Sequence, residues 1–267
     1  MEVKKDTPPQ PLRIGLLGFG KTGRLAALEV LKDKSLALVW VLRRHVEEPG
    51  QYASRLTGEP GDRGEILPAA LAQDPQFWQA PERRVDVLVD FSSPEASLLY
   101  APAAAAGVRI VSAVSHYDAP YQAILQDASA LTALLQSPNI TVGINFLMVA
   151  ARVMQDFAPH ADIEVIEEHF KAKRGVSGTA LRLATVLGLS RRHVKSVRAG
   201  GIIGRHEVVF GLANQTVRMT HESISRAAFG RGALLAAKWI ADKPPGRYDM
   251  ESIVRESMAR TLLQQTA

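Results

Sequence analysis

The stretch Ile14-Gly15-Leu16-Leu17-Gly18-Phe19-Gly20-Lys21-Thr22-Gly23-Arg24 decides the fold class of this chain. It begins as an apolar run typical of a buried strand and breaks into a G-x-G-x-x-G turn, followed by a helix-like stretch over residues 24–32. Such a strand–turn–helix presents free backbone N–H groups and the positive end of a helix dipole to a pyrophosphate. Gly18 permits the turn, Gly20 lets a phosphate approach, and Gly23 lets helix and strand pack closely. We therefore predict a dinucleotide-binding turn; a glycine-rich turn without a ligand is the alternative.

The second predicted strand, residues 36–42, ends at two arginines. Arg43 lies 20 residues after Gly23, where a site for NAD usually has Asp or Glu against the ribose 2′-hydroxyl. Guanidinium groups match a phosphate, so Arg43 and Arg44 favour NADPH over NADH, which stays possible. A solvated basic strand end is the alternative interpretation.

Composition places the chain among ordinary globular proteins, with 267 residues, a formal net charge of +5 and a pI of about 9.5. The basic residues are scattered, so an anionic small molecule explains the surplus as well as nucleic acid does, and we predict no nucleic-acid partner. The chain has no cysteine, which excludes disulfides and a thiolate nucleophile. No metal site is predicted.

Targeting and membrane signals are missing from the sequence. Residues 1–11 are charged and proline-rich, without the apolar core of a signal peptide. The most apolar long stretch, residues 98–114, is interrupted by Pro102, Gly107 and Arg109. We expect a cytoplasmic protein that does not associate with membranes.

Strand and helix signals alternate through the first half of the chain. Further strands are predicted at 85–91, 108–112 and 140–143, helices at 96–106 and 121–135, and a loop at 47–64. Ser92, Pro94 and Glu95 suit the start of the helix at 96–106, and Gly107 suits its end. Repeated βα units predict an α/β fold with a parallel, doubly wound sheet, the Rossmann type.

The pattern changes after residue 143. Helices are predicted at 146–158 and 230–239, and strands at 161–168, 194–198, 207–212 and 215–222. Several strands with few helices between them predict an α+β domain with a mixed or antiparallel sheet. We place the boundaries near Gly143 and in the helix containing Trp239, so the domains are 1–143 and 144–237.

A second cluster of polar residues follows the strand at 161–168. The strand delivers Glu168 and His169 to its end, a basic loop follows at 171–174, and Ser177-Gly178-Thr179 starts a helix. Ammonium groups and a helix N-terminus together suit a carboxylate, and an imidazole exchanges a proton near neutral pH. The alternative is an exposed histidine on a solvated loop before an ordinary serine cap.

Separated motifs in a fixed order give the chain a family resemblance. They are G-F-G-K-T-G-R at 18–24, D-F-S-S-P-E-A at 90–96, D-I-E-V-I-E-E-H at 162–169, S-G-T-A-L at 177–181, R-A-G-G-I-I-G-R-H-E-V at 198–208 and S-R-A-A-F-G-R-G-A at 225–233. The sequence resembles the dihydrodipicolinate reductase family of bacterial lysine and diaminopimelate biosynthesis over most of its length.

The resemblance implies a Rossmann domain to which residues 238–267 return, and a mixed-sheet domain that forms a homotetramer. It implies reduction of a cyclic unsaturated dicarboxylate with NADPH or NADH. His169 would be the proton donor, in its imidazolium form, with Lys173 as partner. The substrate-binding residues would be Lys173, Ser177, Gly178 and Thr179. The cofactor-binding residues would be Gly18, Phe19, Gly20, Lys21, Thr22, Gly23, Arg43, Arg44, Phe91, Ser92, Ala113, Ser115 and Asn139.

The chain departs from the family pattern at three places. The family's paired histidines read His169-Phe170, its D-x-P before S-G-T reads Gly175-Val176 and is one residue shorter, and its G-T-T-G loop reads Ala113-Val114-Ser115-His116. Losing a polar contact costs about 1 kcal/mol, enough to change substrate preference. Two alternatives therefore stay open: a reductase of the same fold acting on another imine or enamine acid, and a non-catalytic NADPH-binding regulatory protein.

Overall fold

The structure, a computed structural model, describes residues 10–46 and 50–265. The predicted absence of a leader falls largely on residues 1–9, and the start of the predicted loop falls on 47–49; both lie outside the described residues. Contacts divide the chain into two compact units. The first comprises the residues up to Pro138 and Ala233–Tyr248, and the second comprises Asn139–Gly232 and the residues from Asp249 onward.

The first unit contains a seven-stranded sheet. Its strands are β1 (Leu12–Leu17), β2 (Leu36–Arg43), β3 (Glu65–Pro68), β4 (Val87–Asp90), β5 (Arg109–Ser112), β6 (Ala133–Gln136) and β11 (Gly246–Tyr248). All neighbours are parallel, in the order β11-β6-β5-β4-β1-β2-β3. The order of β1–β6 is that of the Rossmann fold, whose strand order reverses between β1 and β4. The predicted parallel sheet is confirmed.

The second unit contains a four-stranded mixed sheet. Its strands are β7 (Asp162–His169), β8 (Val194–Arg198), β9 (Arg205–Leu212) and β10 (Gln215–Glu222), in the order β10-β9-β7-β8. β7 is parallel to β8 and antiparallel to β9. The predicted mixed sheet is confirmed.

The helices have these bounds: α1 (Lys21–Lys32), α2 (Ala53–Thr57), α3 (Pro75–Gln79), α4 (Tyr100–Ala105), α5 (Ala119–Leu131), α6 (Val142–Phe157), α7 (Gly178–Val186), α8 (Ala227–Ile240) and α9 (Met250–Gln265). Short 3-10 segments occupy Ala69–Gln73, Pro81–Arg83, Pro94–Leu99 and Arg191–His193. None of the helices within the described ranges has the length and hydrophobicity needed to span a bilayer.

Each unit has its own apolar core. In the first, Trp40 packs edge-on against Phe77 and Trp78, and its indole lies where any side chain at Gly15 would sit. In the second, helices α6 and α7 contribute to a core that also contains the apolar half of the sheet: Ile163, Val165, Val208 and Phe210. Alternation along β7 buries every second side chain, from residue 163 to residue 169.

Two expectations about the segment before α6 were wrong. Residues 133–136 form a buried strand rather than the end of a helix, because a short apolar run suits either structure and sheet pairing decides. Residues 140–143 do not form a strand. There the Asn139 side chain accepts hydrogen bonds from the Thr141 backbone and hydroxyl, and α6 begins at Val142.

The helix predicted at 96–106 begins differently. Its first part, Pro94–Leu99, is a 3-10 helix, and only Tyr100–Ala105 is α-helical. Pro102 has no N–H to donate to the carbonyl of residue 98, which disfavours a regular α-helix across this point. Ser92 does not cap the helix, because its hydroxyl binds the Asp90 carboxylate instead. The predicted loop contains α2, and Gly58, the residue that follows this helix, has the left-handed conformation.

The last helix belongs to a different unit than expected. The strand β11 pairs with β6 in the first unit, as a returning segment would. The helix α9, in contrast, packs against α6 in the second unit, and Glu251 at its start accepts hydrogen bonds from Arg182 of α7. Residues 249–265 therefore pack in the second unit, rather than returning with the rest of 238–267.

Candidate functional site

The glycine-rich turn lies at the carboxyl end of β1. Gly18 has a φ of +88°, and a side chain there would press on the Phe91 carbonyl, which follows β4. A cavity of about 420 Å³ opens here, and it is lined by Gly18, Phe19, Gly20, Arg43, Arg44, His45, Phe91, Ser92 and Ser93. The turn and the ends of three strands thus form one pocket at the point where the strand order reverses.

The structure leaves different amounts of room at the glycines of the turn. A Cβ on Gly23 would lie 2.2 Å from the Gly18 carbonyl oxygen, so α1 and β1 approach too closely for a side chain. A Cβ on Gly20 would meet no protein atom within 4 Å, so the space beside it is open. No side chain caps α1, and its first turn has no acidic residue. The turn, including Lys21 and Thr22, therefore fits the phosphates of a dinucleotide.

A second cavity of about 360 Å³ adjoins the turn. Its lining is largely apolar: Leu17, Leu42, Ala69, Ala70, Ala96, Leu98 and Leu99, with polar groups from Arg44, Gln73, Ser92, Ser93 and Glu95. Arg44 reaches Ser93 Oγ at 3.4 Å and Glu95 at 4.0 Å, while Arg43 lines the first cavity. An apolar slot beside two guanidinium groups suits an adenosine that carries a phosphate.

The fully buried Asp90 holds the loop below these cavities. Its carboxylate accepts hydrogen bonds from the Ser92 backbone at 2.7 Å and hydroxyl at 2.5 Å, and from Tyr100 at 2.7 Å. Tyr117 links the Tyr100 hydroxyl to Ser112 at the end of β5. Burial raises the pKa of Asp90 to about 6, although these hydrogen bonds oppose the rise.

Other predicted cofactor residues lie elsewhere. Ala113 and Ser115 directly follow β5, in the first unit, and line neither of the two cavities. Asn139 begins the second unit, where its side-chain amide donates to the Thr179 hydroxyl at 3.3 Å.

The second cluster occupies one end of the mixed sheet, on the face that carries its core residues. Paired residues share a face, so His221, His206, Glu167 and Ser196 form one row across the four strands. His169 and Arg198 form the next row. Glu168, which the sequence placed beside His169, lies on the opposite face and pairs with Arg205.

His169 is 7% exposed and bonds to a buried carboxylate. Its Nδ1 lies 2.5 Å from Oε2 of Glu167, whose side chain has no exposure. Arg198, Ser196 and the Ser177 backbone N–H also donate to Glu167. Burial alone would raise the pKa of Glu167, but these hydrogen bonds lower it to about 2. An ionised carboxylate only accepts, so Nδ1 of His169 carries a proton.

The state of His169 follows from these contacts. Burial lowers the pKa of His169 below its ordinary 6.5; Glu167 opposes this, while Lys173 and Arg198 add to it. The neutral ring therefore predominates at pH 7 before substrate binds. Among the described residues none bonds to Nε2, and a Cβ on Gly204 would lie 3.1 Å from it. Nε2 is therefore the nitrogen that gains or loses a proton when the ring changes its protonation state.

The basic loop joins this row to the start of α7. Ser177 makes no capping bond; its backbone N–H donates to Glu167 and its hydroxyl lies 2.9 Å from Nε2 of His206. The N–H groups that begin α7 at Gly178 and Thr179 are not capped by it. Lys173 lies close enough to lower the pKa of both His169 and His206, and it forms no ion pair within the described ranges.

Five residues of this cluster were missed from the sequence: Glu167, Ser196, Arg198, His206 and His221. His206 is 4% exposed, and its ring stands edge-on to that of His169 with centroids 5.3 Å apart. Burial, followed by the neighbouring His169 and His221, lowers the pKa of His206 to about 4. The described residues contain no group of three or more His, Cys, Asp or Glu suited to a metal ion.

Comparison with known proteins matches this architecture to one family. Residues 12–140 match the model for the N-terminus of dihydrodipicolinate reductase, and residues 140–254 match the model for its C-terminus. The chain belongs to the dihydrodipicolinate reductase family. Membership confirms the predicted resemblance, and with it the prediction of an oxidoreductase that uses a nicotinamide cofactor.

Individual members of the dihydrodipicolinate reductase family are similar to this chain over most of its length. The 4-hydroxy-tetrahydrodipicolinate reductase of Thiobacillus denitrificans is 34% identical over 91% of this chain and 98% of its own. That of Anaeromyxobacter dehalogenans is 37% identical over 77% and 83%. A dipicolinate-bound dihydrodipicolinate reductase from Paenisporosarcina sp. TG-14 has the same fold, with a TM-score of 0.74 at 21% identity, covering 91% of this chain and 100% of that one.

Proposed function

We propose that this enzyme reduces 4-hydroxy-tetrahydrodipicolinate, the substrate named for its relatives, with NADPH as the preferred cofactor. The observation that carries the proposal is the row of buried polar residues around His169, which offers a proton, a cation and a helix N-terminus at one end of a sheet. The bound cofactor supplies the hydride. The residues of the second unit bind the dicarboxylate and supply the proton.

His169 supplies the proton from Nε2. Since Glu167 keeps Nδ1 protonated, a proton is present at Nε2 only in the imidazolium. A bound dicarboxylate adds negative charge beside the ring, which raises the pKa of His169 and charges it when the proton is needed. The acid is thus formed in the substrate complex rather than in the free enzyme.

Lys173 and the start of α7 bind a substrate carboxylate. The side chain of Lys173 has no competing ion pair among the described residues, and Gly178 leaves open space within 4 Å of its missing Cβ. The backbone N–H groups of Gly178 and Thr179 complete the anion site, with hydroxyl groups from Ser177 and Thr179.

NADPH preference rests on Arg43 and Arg44, beside the cavities at the β1 turn. Replacing both, as Arg43→Glu with Arg44→Ala, should weaken NADPH binding more than NADH binding. Titration of both dinucleotides into parent and variant measures the ratio, and an unchanged ratio rejects the assignment. Arg109→Ala, a basic residue at the start of β5, is the matched control.

A homotetramer is the assembly that we propose, with the mixed sheet as the contact surface. The face opposite the core carries a charged network of Glu168, Arg205, Glu207 and Arg218, and Val197 on β8 is 44% exposed. Light scattering at micromolar concentration should give the mass of four chains, and a monomer rejects the assembly. We further propose that the enzyme works in the cytoplasm.

A second candidate substrate is another cyclic imino or enamine acid. Phe170, where the family has a second histidine, is 44% exposed and removes one polar contact from the site. Oxidation of NADPH should be compared with 4-hydroxy-tetrahydrodipicolinate and with cyclic imino monocarboxylates. Higher kcat/KM for a monocarboxylate favours this second candidate, and Phe170→His should then shift the preference towards the dicarboxylate.

A further inference from the structure

A single guanidinium group, that of Arg198, connects the separate parts of the second site. All five of its N–H donors are used. Nη1 and Nη2 donate to the two oxygens of Glu167 at 2.9 and 2.5 Å, as a fork. Nε donates to the Lys173 carbonyl at 3.2 Å, Nη2 also to the Gly175 carbonyl at 2.6 Å, and Nη1 also to the Val197 carbonyl at 2.7 Å.

Four of these five hydrogen bonds reach two functional parts of the site. Glu167 is the carboxylate that holds Nδ1 of His169, so Arg198 fixes the proton donor through one intermediate residue. The carbonyls of Lys173 and Gly175 belong to the loop between β7 and α7, so Arg198 also fixes the backbone that carries the proposed carboxylate-binding lysine. Gly175 has a φ of +69°, and this left-handed turn aims its carbonyl.

We propose that Arg198 is the positioning residue of this active site: one guanidinium holds Glu167, which sets the tautomer and direction of His169, and the loop that carries Lys173. This inference rests on the proposed roles of His169 and Lys173. Arg198 itself does not touch the reacting atoms.

Arginine is the residue that this role requires. Lysine keeps the positive charge but has three donors and no planar fork, so it cannot hold both carboxylate oxygens and both loop carbonyls. Without the fork, Glu167 loses its fixed plane, and Nδ1 of His169 loses its constant acceptor. The other groups that face His169 are Lys173 from the loop and His206 from β9, and neither accepts a proton from Nδ1 in this structure.

The test compares Arg198→Lys with Arg182→Lys. Arg182 lies in the same unit and also donates two N–H groups to one carboxylate, that of Glu251, so it controls for the general cost of the substitution. Arg198→Lys should lower kcat by about tenfold or more, because an orienting carboxylate sets the tautomer of a catalytic histidine. It should also weaken binding of the probe dipicolinate and leave NADPH affinity unchanged. Arg182→Lys should leave all three unchanged.

A spectroscopic readout separates positioning from stability. At pH 8, ¹⁵N chemical shifts, assigned with His169→Asn, should show the parent His169 protonated at Nδ1 alone, and Arg198→Lys should show a mixture of both tautomers. If Arg198→Lys does not fold, Glu167→Gln replaces it: it should shift the pH profile of kcat/KM to lower pH, because the carboxylate charge that raises the pKa of His169 is gone.

Parent-like kcat and a pure Nδ1–H tautomer in Arg198→Lys overturn the positioning role, as does an Nε2–H tautomer in the parent. Failure of the proposed function looks different: the parent protein itself would not turn over the dicarboxylate, while the tautomer measurement would still give a result for Arg198.

Discussion

The two sites of this molecule are built in different ways. The proposed dinucleotide site is mostly backbone: glycines leave room, and the turn after β1 presents its N–H groups. The proposed dicarboxylate site is mostly side chain: a buried carboxylate, two imidazoles and a guanidinium group come from three strands. Backbone sites are formed by local sequence, whereas side-chain sites depend on the register of strands far apart in the chain.

The difference extends to electrostatics. The first unit buries a carboxyl group, Asp90, whose pKa is raised to about 6, and the second buries an imidazole, His206, whose pKa is lowered to about 4. Burial disfavours the charged form of both groups. The carboxyl group of Asp90 becomes charged by losing a proton, whereas the imidazole of His206 becomes charged by gaining one. The contributions of Asp90 and His206 to stability therefore change with pH in opposite directions.

The largest effect is expected at His169. His169→Asn should lower kcat by about 100-fold or more, because it removes the proton donor, and should leave NADPH affinity unchanged. Steady-state kinetics and dinucleotide titration measure the two quantities. His160→Asn, at an exposed position of the same unit, is the control and should match the parent. Equal turnover in His169→Asn and the parent would remove His169 from the reaction.

Asp90→Asn tests the first unit. The parent loses stability as pH rises from 3.8 to about 6, because the folded protein keeps Asp90 protonated longer than the unfolded chain does. The resulting loss in the free energy of unfolding is about 3 kcal/mol. The stability of Asp90→Asn relative to the parent should therefore rise over this range, measured by urea unfolding at each pH. Asp127→Asn, at an exposed position of α5, is the control for the substitution itself, and a flat difference for Asp90→Asn rejects the buried charge.

His206→Gln tests the second unit with the opposite sign. In the unfolded chain His206 binds a proton below about pH 6.5, whereas in the folded protein it binds one only below about pH 4. The free energy of unfolding of the parent therefore falls by about 3 kcal/mol as pH falls through this range. Glutamine does not titrate and keeps a donor near Ser177. His206→Gln should gain relative stability as pH falls, while His160→Gln should not. Urea unfolding at each pH measures the difference in the free energy of unfolding between His206→Gln and the parent. A difference that does not change with pH would contradict the lowered pKa of His206.

Gly20→Ala gives the smallest expected effect and isolates the backbone site. A Cβ at this position meets no protein atom within 4 Å, so the melting temperature should not change. The methyl group occupies the space through which phosphate approaches, so NADPH affinity should fall about tenfold, about 1.4 kcal/mol. Gly178→Ala, also with open space, should leave NADPH affinity intact. Unchanged affinity in Gly20→Ala would place the phosphates elsewhere.

The sequence predicted what depends on local pattern. The β1 turn, the alternation along β7 and the strand β10 follow from spacing alone. The sequence placed Glu168 beside His169 at the end of the strand, but the alternation that buries His169 also buries Glu167 and turns Glu168 to the other face.

Other features could not be predicted from the local pattern of residues. Arg198 lies beside His169 only through the pairing of β7 with β8, and His206 lies beside Glu167 only through the pairing of β7 with β9. The strand β6 was predicted to be helical because a short, fully buried apolar run has the same pattern in a strand as in a helix. Pairing between distant segments, not local preference, decides all three.

We propose that the dinucleotide site and the side-chain cluster around His169 serve one reduction. Steady-state oxidation of NADPH and of NADH with 4-hydroxy-tetrahydrodipicolinate tests it most directly. We predict turnover with both cofactors, a higher kcat/KM with NADPH, and a kcat/KM that declines as pH rises through the lowered pKa of His169. Tight binding of NADPH without oxidation in the presence of this substrate, or of any cyclic imino acid, would contradict the account.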